Sequence, residues 1–354
     1  MESFTQALLE SSAFADFDVS HCDTTKGRPK ASQGRFDAGN FAWAARHLER
    51  MRRTVARGRP DVVYLPISGT WAGFLRDMAL GWVARRGGAR LVGHVHGSDF
   101  HLLFERAGFD IRIVRAGLDQ FDRILVLGER WKEMMERFGV RGRCDVVPST
   151  FRREVFERAA GAGRSVADDG VLRALTVGLL GRRKGCFDVL CALPAVREAG
   201  VRLRFTFVGP EELVGEWDAM LALRRKLDLE DMTEFTGELR GEALYERYQS
   251  ADLYVMPSYT EGLPIVLFEA GAFGMPVITS PVGAIPDLIV DGRNGLLVPP
   301  GEQGPLVAAI GRMAGDPDAR ARMGRQLQQD IQAFHPDRVC ARVAAAIQAT
   351  LAGA

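Results

Sequence analysis

The sequence predicts an α/β protein built from two doubly wound, Rossmann-like domains. Three observations carry that prediction. Short apolar runs bounded by turn residues alternate with amphipathic stretches, the pattern of parallel strands covered by helices on both faces. The alternation occurs twice, in two series separated by AAGAGRSVADDG near 158–170, a small, polar, Gly-rich segment. The chain has 354 residues, 47% hydrophobic and 26% charged, enough for two cores of ordinary size.

In the first series Ser3–Leu9 reads as a helix and Phe17–His21 as a strand. Phe36–Arg57 is helical, and Asp61–Pro66 (DVVYLP), Arg90–His96 (RLVGHVH), Arg123–Leu127 (RILVL) and Cys144–Pro148 (CDVVP) read as strands. Trp71–Arg85 and Glu129–Phe138 are the helices between them. The second series has strands at Ala174–Gly178, Arg204–Val208, Asp252–Met256 and Pro276–Thr279. Its helices are Cys186–Glu198, Glu216–Lys226, Gly241–Gln249 and Pro264–Phe273. The tail, Pro336–Leu351, places Val339, Val343, Ala346 and Ile347 on one helical side. The expected division is a first domain over 1–160, a second over 165–330, and a terminal segment, 331–354, whose helix packs back toward the first.

Composition excludes several classes. The five cysteines, at 22, 144, 186, 191 and 340, form no CxxC pair, which argues against zinc or a disulfide framework and for a reducing cytoplasm. The N-terminus lacks the charge and apolar run of a signal peptide, and no apolar stretch approaches the ~18–20 residues of a membrane span. The net charge of +1 hides an asymmetry. Residues 1–164 hold 27 Lys and Arg against 20 Asp and Glu, and residues 165–354 hold 19 against 25. A basic half beside an acidic half fits two domains facing different partners. Nothing indicates a nucleic-acid partner.

The most informative segment is 257–287, PSYTEGLPIVLFEAGAFGMPVITSPVGAIPD. Glu261 lies in a Gly-Pro turn, and Glu269 is read as two helical turns further on. Ionised carboxylates are strong acceptors for sugar hydroxyls. Between them, the backbone N–H groups of Gly262 and Leu263 are open, Pro264 has none, and the following helix turns its positive end the same way. E-x7-E alone would describe an ordinary solvated helix; the surrounding motif is what singles it out. Upstream, VGLLGRRKG (177–185) makes a cationic turn after a strand ending at Gly178, with Arg182, Arg183 and Lys184 suited to diphosphate oxygens. After the later strand, Gly283 permits a close chain approach, and Asp287 is either a helix cap or a site residue.

These pieces, together with FTGEL at 235–239 and VHGSD at 95–99, resemble the retaining glycosyltransferase family four, the glycosyl transferases group 1, of GT-B fold. The resemblance runs over roughly 40–340, with PSYTEGLPIVLFEAGAFGMPVITSPVGAIPDLIVDGRNGLLVPPG its strongest part. It implies transfer of a sugar from a UDP- or GDP-sugar to a glycan or lipid-linked acceptor, in polysaccharide or glycolipid assembly, without a cofactor or metal. It also implies a cleft, the donor on the C-terminal domain and the acceptor on the N-terminal one. By resemblance, Glu269 holds the ribose, Glu261 the donor sugar, and Lys184 the leaving diphosphate. Glu238 and Leu239 follow a strand end from which the backbone contacts the base. His96 faces the donor sugar; His94 is assigned to the opposite face of its strand.

The chain departs from the family pattern in two places. Leu179 stands where an arginine is usual, leaving that work to Arg182 or Arg183. Measured against the family pattern, the first strand and Gly-rich loop of the N-terminal domain are missing. Either the start lies downstream of the native one or the transferase is divergent, and an upstream-extended chain is expected to be more stable and active. Asp16-Phe17-Asp18 imitates a DxD metal signature without its context. Rival readings are a nucleotide-sugar epimerase of the same fold and a non-catalytic nucleotide-sugar-binding scaffold. Finally, Phe36, Phe41, Trp43, Leu48, Met51 and Val55 accompany Arg46, Arg50, Arg52, Arg53 and Arg57. This helix suits either peripheral contact with an anionic membrane, on the inner face of the plasma membrane, or core packing with a solvated basic face.

Overall fold

The computed structural model describes residues 2–23, 38–96, 100, 103, 109–140, 142–160 and 169–353. Its contacts divide the chain into two units, Met1–Ser149 with Pro336–Ala354, and Thr150–His335.

The first unit opens with helix α1 (Glu2–Glu10) and a 3-10 turn, Ser12–Phe14, capped by the Ser11 hydroxyl. Residues 18–23 then have no regular structure, so the strand expected at Phe17–His21 is absent. The alternating FDVSH run has the composition of a strand but, among the described residues, pairs with no strand; Phe17 packs against the core beneath the C-terminal helix instead. Helix α2 (Ala38–Gly58) leads to β1 (Val62–Ile67), α3 (Trp71–Arg86), β2 (Arg90–Val95), α4 (Phe109–Leu118), β3 (Arg123–Val126), α5 (Glu129–Arg137) and β4 (Arg143–Val146). Among the described residues these strands form a four-stranded parallel sheet in the order β1-β2-β3-β4. The C-terminal helix, Pro336–Ala352, buries Val339, Val343, Ala346 and Ile347 against Phe4 and Leu8 of α1 and Val92 and Leu125 of the sheet. Burial of that apolar stripe is what holds a chain terminus in place.

In the second unit α6 (Arg153–Ala160) precedes the sheet, although the sequence reading assigned 153–160 to the first domain. It packs on the helix that carries Glu269. There follow β5 (Leu172–Val177), α7 (Cys186–Glu198), β6 (Leu203–Val208), α8 (Glu216–Lys226), β7 (Thr233–Gly237), α9 (Glu242–Ser250), β8 (Leu253–Met256), α10 (Ile265–Ala272), β9 (Val277–Thr279), α11 (Ile285–Leu288), β10 (Gly295–Leu297), α12 (Gln303–Gly315) and α13 (Pro317–Asp330). The six strands are parallel, in the order β10-β9-β8-β5-β6-β7. Strands buried on both faces explain the nearly continuous apolar runs of LYVM and VIT. A core from Leu172 through Phe205, Leu253 and Ile278 to Ile310 lies along the sheet.

Strand order fixes the site. From β5 the chain winds outward through β6 and β7, then returns to place β8 on the other side of β5. The turns leaving the carboxyl ends of β5 and β8 therefore diverge. Such a reversal point is where doubly wound sheets bind ligands.

Candidate active site

Two turns flank that reversal. The first runs from Gly178 to Gly185, where φ values of +139° and +72° fall in regions that only glycine adopts readily. The second runs from Pro257 to Pro264, where Pro264 caps α10. They are joined by a backbone hydrogen bond from Tyr259 N to Arg183 O (2.9 Å) and by three side-chain contacts. Lys184 Nζ lies 2.6 Å from Glu261 Oε1. Arg183 donates from Nη1 to Thr260 O (3.0 Å) and pairs through Nε with Glu212 (2.5 Å). Its Nη1 is also 3.5 Å from Glu261 Oε1.

The Lys184 and Glu261 side chains are only 14% and 6% exposed. Glu261 Oε1, although close to two cations, receives no well-angled hydrogen bond among the described residues. Gly262 and Leu263 are buried beside it, and their N–H groups donate to no protein acceptor among the described residues. The turn thus gathers an ammonium, a carboxylate with capacity for a hydroxyl, and two open donors ahead of a helix N-terminus. Gly283, at φ +58°, seals it from behind. A Cβ there would run into the carbonyl oxygens of Glu261 and Gly262, and Ala284 N donates to Gly262 O (2.8 Å). Asp287 sits inside the first turn of α11, whose cap position is Ala284, so it does not cap that helix.

Glu269 lies on α10, just over one turn from its start because the helix begins at Ile265; the sequence reading placed it two turns beyond Glu261. Its side chain is buried, and its Oε2 accepts a hydrogen bond from Tyr248 Oη (2.8 Å). Burial raises the carboxyl's pKa, against the lowering influence of the Tyr248 hydrogen bond and of Arg152. Arg182 is engaged differently from its neighbours. Its guanidinium lies over the Phe187 ring (4.2 Å), and its backbone N donates to Glu216 Oε1 (3.0 Å). Glu238 and Leu239 follow β7, two strands from β5, and the Glu238 carboxylate is exposed and paired with Arg240 (2.7 Å).

In the first unit His96 follows β2; Gly97, Ser98 and Asp99 lie outside the described residues. His94 is not on the opposite face. Residues two apart on a strand share a face, and the His94 and His96 rings lie 3.9 Å apart with Tyr64 Oη beside both.

Residues 163–330 match the family model described as Glycosyl transferases group 1, and residues 15–150 match Glycosyl transferase 4-like domain. The chain belongs to the group 1 glycosyltransferases. The chain is 33% identical over 205 residues to D-inositol 3-phosphate glycosyltransferase of Nocardia farcinica, an alignment covering 55% of the chain and 45% of that protein. It is 27% identical over 197 residues to the putative colanic acid biosynthesis glycosyltransferase WcaL of Salmonella typhimurium, covering 53% and 47%. The chain thus spans less than half the length of these relatives. Among solved structures, sucrose-phosphate synthase from Thermosynechococcus elongatus superposes with a TM-score of 0.73 at 19% identity, over 94% of this chain and 83% of the other. HepE of Anabaena in complex with UDP gives 0.71 at 18%, over 86% and 82%. The glycosyltransferase fold is GT-B, two Rossmann-like halves.

Sequence reasoning does not single out Tyr248, Glu212 or Glu216. The two acids of GPEE directly after β6 were a usable signal for Glu212. Tyr248 had none, being 21 residues from the carboxylate it meets. Among the described residues, no group of three or more His, Cys, Asp and Glu could hold a metal, and no helix is long and apolar enough to cross a membrane.

Proposed function

We propose that this group 1 glycosyltransferase moves a sugar from a nucleotide-diphosphate-sugar to a glycan or lipid-linked acceptor with retention at the anomeric carbon. The observation that carries the reading is the Lys184–Glu261 contact between two turns at the reversal of the sheet. Lys184, with Arg182 or Arg183, stabilises charge on the departing diphosphate. Glu261 and His96 orient the donor sugar, and Glu269 holds the ribose. The open N–H groups of Gly262 and Leu263 and the α10 N-terminus meet anionic oxygens. Glu238 and Leu239 border the base. The acceptor oxygen bonds to the anomeric carbon on the face from which the phosphate oxygen departs, and that oxygen takes the acceptor's proton.

The UDP bound by the neighbour HepE supports a uridine donor, with a GDP-sugar the other choice. The relative named for colanic acid biosynthesis supports a role in surface polysaccharide assembly. A thermal-shift panel of UDP-, GDP- and ADP-sugars, followed by transfer and hydrolysis assays, tests the reading. One donor family should raise Tm and release its nucleotide; no shift and no release with any of them would overturn it.

The acceptor side includes a contact with an anionic membrane at the cytoplasmic face. Arg46, Arg50, Arg53 and Arg57 line one open side of α2 together with Glu49, which pairs with Arg53 (2.7 Å), whereas Met51 and Val55 are buried. On α3, Leu75 and Trp82 are 42% and 54% exposed and Arg86 lies over the Trp82 ring (4.2 Å). Val55 of α2 abuts Gly87 at the end of α3, and by helical spacing the arginines project from the side of α2 away from that contact, so the basic face and the exposed residues of α3 are separate surfaces. Nothing is described for Phe36 or for the side chains of Phe41 and Trp43.

A further inference from the structure

We propose that Tyr64 and His94 are positioning residues that fix the tautomer of His96, so that His96 meets a substrate as a hydrogen-bond acceptor through a bare Nδ1. This rests on the reading of His96 as a contact to the donor sugar.

The inference follows from accounting for protons along one chain of contacts. His94 Nε2 lies 3.0 Å from Val147 O. A carbonyl oxygen only accepts, so Nε2 carries the hydrogen. His94 is fully buried, and burial lowers its pKa to about 3, so the ring is neutral and its Nδ1 is a bare acceptor. Tyr64 Oη is 2.7 Å from that Nδ1 and must donate to it. The phenol has one hydrogen, now committed, so toward His96 Nε2, 3.4 Å away, Tyr64 can only accept. His96 Nε2 is then the protonated nitrogen. Burial and the neighbouring His94 hold the His96 pKa well below 6.5, so this ring is neutral too and its Nδ1 has no hydrogen.

Packing holds the relay in place. The Phe4 ring sits edge-on to His94 (5.1 Å, 84°) and to His96 (4.7 Å, 61°), and Tyr64 is edge-on to His94 (5.9 Å, 82°). The order of donors is therefore set from the Val147 carbonyl outward, and it gives His96 one chemical face. A bare imidazole nitrogen accepts from a hydroxyl and cannot donate to an oxyanion. The relay thus selects a sugar hydroxyl over a phosphate oxygen as the partner of His96.

The test is long-range 1H–15N correlation on 15N-histidine-labelled full-length protein at neutral pH. The expected result is a protonated Nε2 and a bare Nδ1 for both His94 and His96. A His96 protonated on Nδ1, or one averaging between tautomers, would overturn the proposal without recourse to any variant. In Tyr64→Phe, which keeps the ring packing, His96 should lose its preference and populate both tautomers. With a donor identified, kcat should fall about tenfold while KM for the donor stays within about twofold. An unchanged His96 spectrum in a folded Tyr64→Phe variant also overturns it. Failure of the donor assignment is distinguishable: the wild-type tautomers would be as expected, yet His96→Ala would keep the full transfer rate.

Discussion

Lys184 Nζ sits 2.6 Å from Glu261 Oε1, across the point where the strand order of the second unit reverses. Both side chains are largely shielded from water, so removal of Lys184 leaves Glu261 with only the more distant Arg183 (3.5 Å), and removal of Glu261 leaves Lys184 without its carboxylate. Lys184→Ala should therefore lower stability by about 3 kcal/mol as well as abolish transfer. The double variant Lys184→Met with Glu261→Gln should recover most of that stability, because no buried charge is left unpaired, while transfer stays down at least about 100-fold. Urea denaturation and initial rates on the four members of the cycle check both halves.

Tyr248 holds Glu269 by one hydrogen bond while its ring stacks on Phe273 at 5.4 Å and 2°. Tyr248→Phe keeps the stack and deletes the donor. The expected cost is about 1–2 kcal/mol in stability, since the buried carboxylate loses its one phenolic partner. Nucleotide affinity should weaken several-fold, measured by calorimetry, if Glu269 is the ribose ligand.

Acid sensitivity should come from the first unit. The folded-state pKa of His94, about 3, lies below the 6.5 of an unhindered histidine. In the window between these values the unfolded chain binds a proton that the native ring does not. Stability is thus full above about pH 6.5 and declines as pH falls, by about 1.4 kcal/mol per unit from this group. His96, lowered in the same direction, steepens the loss. Denaturation midpoints at pH 7, 6 and 5 check the slope, and it should flatten in a folded His94→Gln variant.

The arginine face of α2 should bind vesicles containing anionic lipid at low salt and release them as salt screens the charges. Charge reversal at Arg46, Arg50 and Arg57 should abolish sedimentation with such vesicles. Sedimentation equal to that with neutral vesicles would remove the membrane contact.

Much of the fold was legible because the local signals agreed with the tertiary demand. Cys186–Glu198 and Glu216–Lys226 begin and end as the sequence reading placed them, each preceded by a glycine of positive φ, Gly185 and Gly215, that stops the backbone before the helix. β10, three residues long and opening on a glycine, carries no strand signal of its own, and β7, on the sheet edge and only partly buried, is legible only as the strand end at FTG. Phe17–His21 shows the opposite failure, a strand-like composition that among the described residues pairs with no strand. For the site, the glycines and charged residues of each turn could be read locally. Their partnership could not, because Lys184 and Glu261 are 77 residues apart and only the reversal of strand order brings them together. The His94–His96 relationship was available from strand periodicity alone, whereas its use depends on Tyr64 from the adjacent strand.

The most direct test of the account is isothermal titration of UDP, GDP and ADP into the wild-type protein and into the Lys184→Met, Glu261→Gln double variant. One of these nucleotides should bind the wild type with 1:1 stoichiometry, and the double variant, folded to the same extent, should bind it at least about tenfold more weakly. Binding of no nucleoside diphosphate, or equal binding by both proteins, would contradict the placement of the donor site between these two turns.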